Sequence, residues 1–251
     1  MHTKIHATRS DSILWRGADV TADTSAGLRD LLDTVTDGPV TLTADMWMGQ
    51  DQVPMPARID DLSPRSQVLE NGQDAAVWPA LIGTDPAVIV PNTAAIAGFL
   101  KLMPDYDGVL CIVSDQTDWV RISAGEACYA QTDLTRSLCA SQAAGTDDEG
   151  ALRDGFDITN GRSSRLGAEL AVIAASAAVG ASISDSHTLG LALGAEFAAA
   201  KAFWLGENVT VMADGPLASA YRSMLNHIGV AASEISLRQS VFAGLSIGYE
   251  L

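Results

Sequence analysis

Short apolar runs separated by turn residues predict strands in the middle of the chain. Residues 109–113 are continuously apolar, as expected of a strand buried on both faces, and residues 119–122 alternate between apolar and polar positions. Residues 124–126 then predict a hairpin turn, and a third strand follows. A β-branched run at residues 209–212 predicts one more strand between two helices. The pattern indicates an α/β protein.

Apolar positions at helical spacing predict the remaining elements. The predicted helices cover residues 26–35, 92–103, 164–179, 186–203, 216–228 and 240–249. Residues 52–66 are rich in proline and are predicted to be loop. A polar break at residues 142–150 suggests a β-rich lobe at residues 1–145 and a helical lobe at residues 146–251. Gly190 and Gly194 lie four residues apart on one helix face, which predicts close approach of another backbone.

Composition changes this picture by restricting the partners. The chain has 251 residues, of which 47% are hydrophobic and 18% charged, so it has enough apolar residues for a real core. Its formal net charge of −16 repels phosphate backbones and anionic membranes, which argues against nucleic-acid and membrane partners. An anionic ligand would need a local basic cluster. The sequence does not indicate which oligomeric state the protein has.

Cysteine usage and the first residues suggest a compartment. Cys111, Cys128 and Cys139 are odd in number and include no Cys-x-x-Cys pair, which favours free thiols. The N-terminal stretch has no apolar segment typical of a secretory signal. The most apolar stretch, residues 170–183, is shorter than the roughly 20 residues that a membrane-spanning helix needs. We therefore expect a soluble, cytoplasmic protein.

Standard catalytic motifs do not occur. The sequence contains no Gly-x-x-x-x-Gly-Lys-Ser/Thr loop, no Gly-x-Gly-x-x-Gly, no His-Glu-x-x-His and no Gly-x-Ser-x-Gly. His2 and His6 fall in a stretch predicted to be a frayed terminus, and His187 and His227 fall at helix ends. No metal site is expected.

Two strand ends carry the candidate chemistry. The first turn (Ser114, Asp115 and Gln116) follows a buried strand, where a carboxylate can orient a sugar hydroxyl or act as a general base; Asp115 can equally form an Asx-turn. The second turn (Ala213, Asp214, Gly215 and Pro216) leads into a helix N-terminus, which can offer N–H groups to an anion or a ribose. Asp214 argues against phosphate there and can serve as a plain helix N-cap.

Several segments resemble a known family in order and spacing. They are Gly-Leu-Ala-Leu-Gly-Ala-Glu at residues 190–196, the strand and second turn followed by Leu217 and Tyr221, and Val-Phe-Ala-Gly-Leu at residues 241–245. Together they resemble the C-terminal half of the 2-dehydro-3-deoxygalactonokinase family. Weaker similarity runs upstream to residue 39, including Trp119 and Val120. The resemblance implies an actin-like, hexokinase-like (ribonuclease H-like) two-lobe ATPase fold, ATP with Mg²⁺ as cofactors, and a small sugar acid as substrate.

The departures from the family pattern bear on activity. The opening Asp-Trp-Gly-Thr-Thr phosphate turn has no counterpart, so the chain is predicted to be N-terminally shortened, with an incomplete N-terminal lobe that lacks the first phosphate hairpin. Asp118 stands where the family has Lys, and Asp214 where it has Gly. Phosphoryl transfer rests on positioning and charge neutralisation. The chain is therefore predicted to be a catalytically degenerate relative with a binding or regulatory role. The alternative is an active sugar-acid kinase; Asp115 is the weak catalytic candidate.

Overall fold

The computed structural model describes most of the chain, in ten segments. These are residues 2–7, 12–16, 19–24, 35, 40–44, 50–69, 72, 74–83, 88–139 and 147–247. The elements up to residue 133 are β1 (Thr3–Ala7), β2 (Ser12–Arg16), β3 (Asp19–Thr24), β4 (Val40–Ala44), β5 (Gln52–Pro54), β6 (Ala57–Arg58), a 3-10 helix (Ile59–Leu62), β7 (Arg65–Val68), β8 (Asp74–Val77), β9 (Ala80–Ile82), β10 (Ile89–Val90), α1 (Thr93–Leu102), β11 (Gly108–Val113), β12 (Thr117–Ser123) and β13 (Glu126–Asp133).

The elements after residue 133 are mostly helical. They are α2 (Thr135–Leu138), α3 (Glu149–Asn160), a 3-10 helix (Ser163–Arg165), α4 (Leu166–Ala178), α5 (Asp185–Ala199), α6 (Lys201–Trp204), β14 (Val209–Met212), α7 (Pro216–His227), β15 (Ala232–Ile235) and α8 (Leu237–Ile247). In the described part of the chain, no helix is both long and apolar enough to cross a membrane.

The chain folds into two compact units, and each is made of separate stretches of sequence. Unit 1 comprises Met1–Asp107, Val120–Thr132 and Ser236–Leu251, and unit 2 comprises Gly108–Trp119 and Asp133–Ile235. This division differs from the predicted boundary after residue 145. The reason is that β11 pairs with the much later strand β14, and α8 returns to pack on α1.

Unit 1 is built around a six-stranded sheet in the order β3-β2-β1-β4-β8-β7. Strand β1 pairs antiparallel with β2 and parallel with β4, which aligns Ile5 with Leu14 and Leu42. These residues and Val77 form one core cluster. A smaller sheet has the order β10-β9-β5, and β6 pairs antiparallel with β13. The prediction of a loop at residues 52–66 is wrong in part, because strands β5 to β7 begin in this stretch. These strands are only two to four residues long, too short for an alternating pattern to reveal them.

The prediction that the chain lacks an opening hairpin is wrong for the backbone, because β1 and β2 pair over five residues. The prediction that His6 lies in a frayed terminus is also wrong, since its side chain is 3% exposed. Polar residues on the second face of β1 concealed the strand. That face is covered by α8, where the Lys4 ammonium donates to Ser246 Oγ at 2.8 Å. The link between β1 and β2, and the predicted helix at residues 26–35 apart from Val35, lie outside the described residues.

Glycines permit the closest helix contacts in both units. A Cβ atom at Gly190 or Gly194 of α5 would overlap backbone oxygens of α3, and one at Gly155 of α3 would overlap backbone of α5. The predicted close approach at Gly190 and Gly194 is thereby confirmed. In unit 1, Gly98 of α1 and Gly244 of α8 stand in the same relation.

Unit 2 contains three parallel strands, with β14 between β11 and β15. All residues of β11 and β14 are buried, as the apolar runs predicted. Strand β15 was not predicted, since its residues Ser233 and Glu234 are exposed and polar. The first residues of β12 also belong to this unit. The hairpin after β12 is confirmed, with Ala124 and Gly125 both at positive φ as its turn type requires.

Candidate functional site

The two predicted turns begin at the same edge of the unit 2 sheet. Strands β11 and β14 run parallel, with Ile112 opposite Met212. The first turn follows β11 directly and the second turn follows β14 directly. The carboxyl ends of neighbouring parallel strands are a usual place for ligands in α/β proteins. The structure therefore brings together the two segments that the sequence singled out.

The first turn is compact and held by its own hydrogen bonds. The Ser114 N–H donates to the Gln116 carbonyl oxygen at 2.9 Å, and the buried Ser114 hydroxyl donates to the same oxygen at 3.2 Å. The Gln116 side-chain amide donates to Asp118 Oδ1 at 2.7 Å. Asp118 is fully buried, so the charge reversal read from the sequence does not present a carboxylate to solvent. Asp115 is half-buried, and its role as general base or turn former stays a prediction.

Helix α2 supplies two side chains to this turn that sequence reasoning missed. The Arg136 guanidinium donates from Nη1 to the Ser114 carbonyl oxygen at 3.2 Å. The Ser137 hydroxyl donates to the Asp115 carbonyl oxygen at 3.1 Å. Both residues lie in a four-residue helix directly after β13, and no sequence motif includes them. A cation therefore stands at the turn where the sequence indicated Asp115 and Asp118 but no cation.

The second turn is exposed and lacks the cap that the sequence suggested. Ala213 is buried and its N–H donates to the Ile235 carbonyl oxygen at 3.1 Å, whereas Asp214, Gly215 and Pro216 are exposed. The N-cap of α7 is Gly215, with φ 71°, and no side chain caps the helix. The reading of Asp214 as a plain N-cap is therefore wrong. The chain reaches the helix through a glycine conformation that leaves the Asp214 side chain one position too early.

The first helical turn of α7 offers few donors to an anion. Pro216, at its first position, has no N–H. The Ala218 N–H already donates to the Gly215 carbonyl oxygen at 3.2 Å. Helix N-termini bind phosphate through such N–H groups. This terminus therefore offers fewer free donors to an anion than the strand–turn–helix pattern suggests.

A buried network lies beneath the turns and joins three of the segments that carry the family resemblance. Glu196 Oε1 accepts a hydrogen bond from Trp119 Nε1 at 2.9 Å, and its Oε2 accepts one from the Tyr221 hydroxyl at 2.7 Å. The Thr117 and Tyr221 hydroxyl oxygens are 2.7 Å apart. Because Tyr221 donates its one hydroxyl hydrogen to Glu196, Thr117 is the donor to Tyr221. Thr117 follows the first turn and Tyr221 lies in the helix that follows the second turn. The network therefore links the two strand–turn units.

Burial controls the ionisation of this network. Burial and, secondarily, the charge of Asp133 raise the pKa of Glu196 to about 7, although hydrogen bonds from Thr135, Tyr221 and Trp119 oppose the rise. Burial, followed by the charge of Glu196, also raises the pKa of Tyr221 well above its usual value. Glu196 is 3% exposed, so it does not reach solvent. Sequence reasoning missed it as a network residue, although it ends the segment 190–196 that contains Gly190 and Gly194.

Other features of unit 2 do not join the candidate site. A groove of about 580 Å³ lies between α3 and α7 and includes none of the predicted site residues. Arg153, Arg222 and His227 in its wall each have a carboxylate partner at 2.6 to 3.2 Å. Cys111 and Cys139 are buried free thiols, and Cys128 is a half-buried one. Among the described residues, no cluster of three or more His, Cys, Asp or Glu side chains could hold a metal ion.

The fit of ATP and Mg²⁺ to these residues is incomplete. Gly215 leaves open space at the second turn, since a Cβ atom there would meet no neighbour. The exposed Asp214 carboxylate and the few free N–H groups, however, do not suit a phosphate. Mg²⁺ in kinases is held largely by the nucleotide phosphates and one or two carboxylates, so it would depend on the nucleotide. The residues described here do not form a complete nucleotide site.

Comparison with known proteins supplies the context for this site. The sequence model of the 2-keto-3-deoxy-galactonokinase family matches residues 18–247. No curated protein matches the chain. Among solved structures, the chain is similar to a protein from Sinorhizobium meliloti provisionally assigned as a 2-dehydro-3-deoxygalactonokinase. That match has 18% identity and a TM-score of 0.80, and covers 100% of this chain and 98% of the other. The predicted α/β fold of this kinase family is confirmed.

Two other solved structures are more distant. One is a conserved Campylobacter jejuni protein provisionally assigned to the Baf family of transcriptional activators, with 7% identity, a TM-score of 0.45 and coverage of 99% of this chain and 97% of the other. The other is component A of (R)-2-hydroxyglutaryl-CoA dehydratase from Acidaminococcus fermentans, with 12% identity, a TM-score of 0.48 and coverage of 99% and 97%. Neither similarity bears on function.

Proposed function

Because the chain belongs to the 2-keto-3-deoxy-galactonokinase family, we propose that it binds a small sugar acid related to 2-dehydro-3-deoxygalactonate at the first turn and has lost most phosphoryl transfer from ATP. In this proposal it acts as a binding or regulatory relative of the family's kinases. The two functions separate because the sugar acid and the nucleotide use different turns. The first turn is held by hydrogen bonds and has a cation beside it.

The chemistry of the second turn carries the proposal. The exposed Asp214 carboxylate stands beside the N-terminus of α7. Pro216 has no N–H there, and the Ala218 N–H already donates to the Gly215 carbonyl oxygen. A nucleotide brings several negative charges to such a turn, and like charges within a few ångströms cost roughly 1 to 4 kcal/mol near a protein surface. Each missing electrostatic contact lowers the rate of transfer by a factor of about 10² to 10³.

An active ATP-dependent sugar-acid kinase is the second candidate. The hairpin of β1 and β2 favours it, because the opening phosphate turn of such kinases joins two strands of this kind. Residues 8–11, which connect these strands, lie outside the described residues. ATP and Mg²⁺ would be the cofactors in that case.

One experiment separates these candidates. Purified full-length protein is incubated with 2-dehydro-3-deoxygalactonate, ATP and Mg²⁺, and the phosphorylated product is followed by mass spectrometry. Thermal shifts with the sugar acid alone and with Mg-ATP alone are measured in parallel. We expect a shift with the sugar acid and little or no product. Product formed at a catalytic rate establishes the second candidate, and no shift with either ligand excludes both.

A further inference from the structure

Arg136 differs from the other arginines described above in its surroundings. The chain has 31 acidic and 15 basic residues, so acids outnumber the cations that could pair with them. In unit 2, Arg153 pairs with Glu149 at 2.6 Å, Arg165 pairs with Glu169, and Arg222 pairs with Glu234 at 3.2 Å. Among the described residues of unit 2, Arg136 and Arg162 have no ion pair, and of these two only Arg136 is half-buried, since Arg162 is exposed. Residues 140–146, which follow α2, contain no Asp or Glu in the sequence.

The position of Arg136 is restricted, although no carboxylate among the described residues pairs with its charge. The side chain is half-buried, and its single hydrogen bond in the described structure goes to the Ser114 carbonyl oxygen. Ser137 binds the next carbonyl oxygen of the same turn, so α2 and the first turn are fixed to one another at two points. A half-buried guanidinium without a carboxylate loses hydration that one neutral acceptor replaces only in part. An anionic ligand would supply what is lacking.

A guanidinium has five N–H donors in a planar fork, and the bond to Ser114 uses one of them. The remaining edge matches the two oxygens of a carboxylate, which arginine binds in a bidentate manner. We propose that Arg136 binds the carboxylate group of the sugar acid at the first turn. This inference rests on the proposed function, since it names the group that recognises the acid end of that ligand. The half-buried Asp115 then lies on the same turn as an acceptor for sugar hydroxyls.

The test compares charge on the ligand with charge on the protein. Binding of 2-dehydro-3-deoxygalactonate and of its uncharged C1 carboxamide is measured by calorimetry for the wild type, Arg136→Gln, Arg136→Lys and the control Arg165→Gln. We expect Arg136→Gln to weaken binding of the acid by a factor of about 10 to 100 and binding of the carboxamide little. Arg136→Lys should lose less, because it keeps the charge but not the fork. Arg165→Gln removes an exposed, paired arginine and should bind both ligands as the wild type does.

The outcomes distinguish this inference from the proposed function. If the wild type binds the acid and Arg136→Gln binds it equally well, the inference is overturned and the proposed function stands. Equal losses for the acid and the carboxamide also overturn it, since they indicate general damage to the turn. If the wild type binds no sugar acid, the proposed function fails. Pyruvate, a minimal 2-oxo carboxylate, then decides the inference: the Arg136 Nε–H signal in NMR spectra should shift on titration, and an unchanged signal overturns it.

Discussion

The two turns leave neighbouring parallel strands, yet the protein supports them differently. The first turn is held by α2 and is followed at once by Thr117, which belongs to the buried network. The second turn is exposed from Asp214 to Pro216 and leads into a helix without a side-chain cap. Below both, Trp119, Glu196 and Tyr221, which carry the resemblance to the kinase family, bind one another. In this protein the buried network joins the two strand–turn units, whereas the chemistry offered to a ligand is set by the exposed and half-buried residues of the turns.

The largest expected effect tests the buried side of this comparison. Trp119 is fully buried, donates to Glu196 and packs edge-on against Phe197 at 5.4 Å between ring centroids. Trp119→Ala should reduce the free energy of unfolding by about 4 kcal/mol, measured by urea denaturation, because it creates a cavity and removes a donor. Tyr129→Ala, at a side chain that is 51% exposed, is the control and should change stability by less than about 1 kcal/mol. Equal losses of stability would show that the buried network contributes no more to folding than an exposed side chain does.

The ionisation of Glu196 gives the next largest effect. Its folded-state pKa of about 7 lies above the unfolded value of 4.5, so the folded state holds the proton more tightly. Stability is therefore highest below pH 4.5 from this group, falls as the pH rises towards 7, and is constant above it. The difference corresponds to roughly 3 kcal/mol.

Glu196→Gln removes this titration. The melting temperature of the variant, followed from pH 5 to 8, should lack the decline that Glu196 causes in the wild type. Asp154→Asn changes an exposed acid of α3 and should retain the wild-type pH profile. If the wild type and Glu196→Gln have parallel profiles, the carboxylate is ionised throughout this range and the network is stable as an anion.

Alanine substitution at two helix glycines with different surroundings, Gly194 and Gly167, should give a smaller effect. Gly194→Ala places a Cβ atom against the Phe156 carbonyl oxygen, and such overpacking costs about 2 kcal/mol. Gly167 lies in α4, where an added Cβ meets no neighbour, so Gly167→Ala should stabilise the protein by up to about 1 kcal/mol through helix propensity. Chemical denaturation of both variants measures the contrast. Stabilisation in both would mean that α3 and α5 separate more readily than their contact suggests.

Sequence reasoning succeeded where a pattern is local and failed where partners are distant. The apolar runs of β11 and β14 and the spacing of Gly190 and Gly194 depend on neighbours in sequence, and their predictions hold. Strand β1 was missed because Lys4 and His6 are polar, and only the distant helix α8 makes that face an interior. No local signal indicates that the polar face is covered.

The candidate site shows the same limit. The strand ends were identified correctly because their residues are consecutive, and strand pairing then placed them side by side. Arg136 was missed because it reaches the first turn from 22 residues away, after an intervening hairpin. Asp118 was taken as a charge facing a ligand, although its strand buries it. The fold decides which charged side chains lie near a ligand, whereas a motif gives only the order of residues along the chain.

The smallest expected effect tests the exposed side of the comparison. If the Asp214 carboxylate opposes a nucleotide at the second turn, Asp214→Asn should tighten binding of Mg-ATP by about tenfold, and Asp214→Gly, which restores the residue of the family pattern, should do so at least equally. Asp185→Asn changes an exposed acid in the first turn of another helix, α5, and is the matched control. Calorimetry at 20 mM and 300 mM NaCl measures the gain, which should shrink at high salt because the carboxylate is exposed and screened.

Tighter binding in all three variants indicates a general effect of net charge. No gain at position 214 means that the missing N–H donors of α7, rather than the acid, limit nucleotide binding, and the double change Asp214→Gly with Pro216→Ala then restores a donor and tests that cause directly.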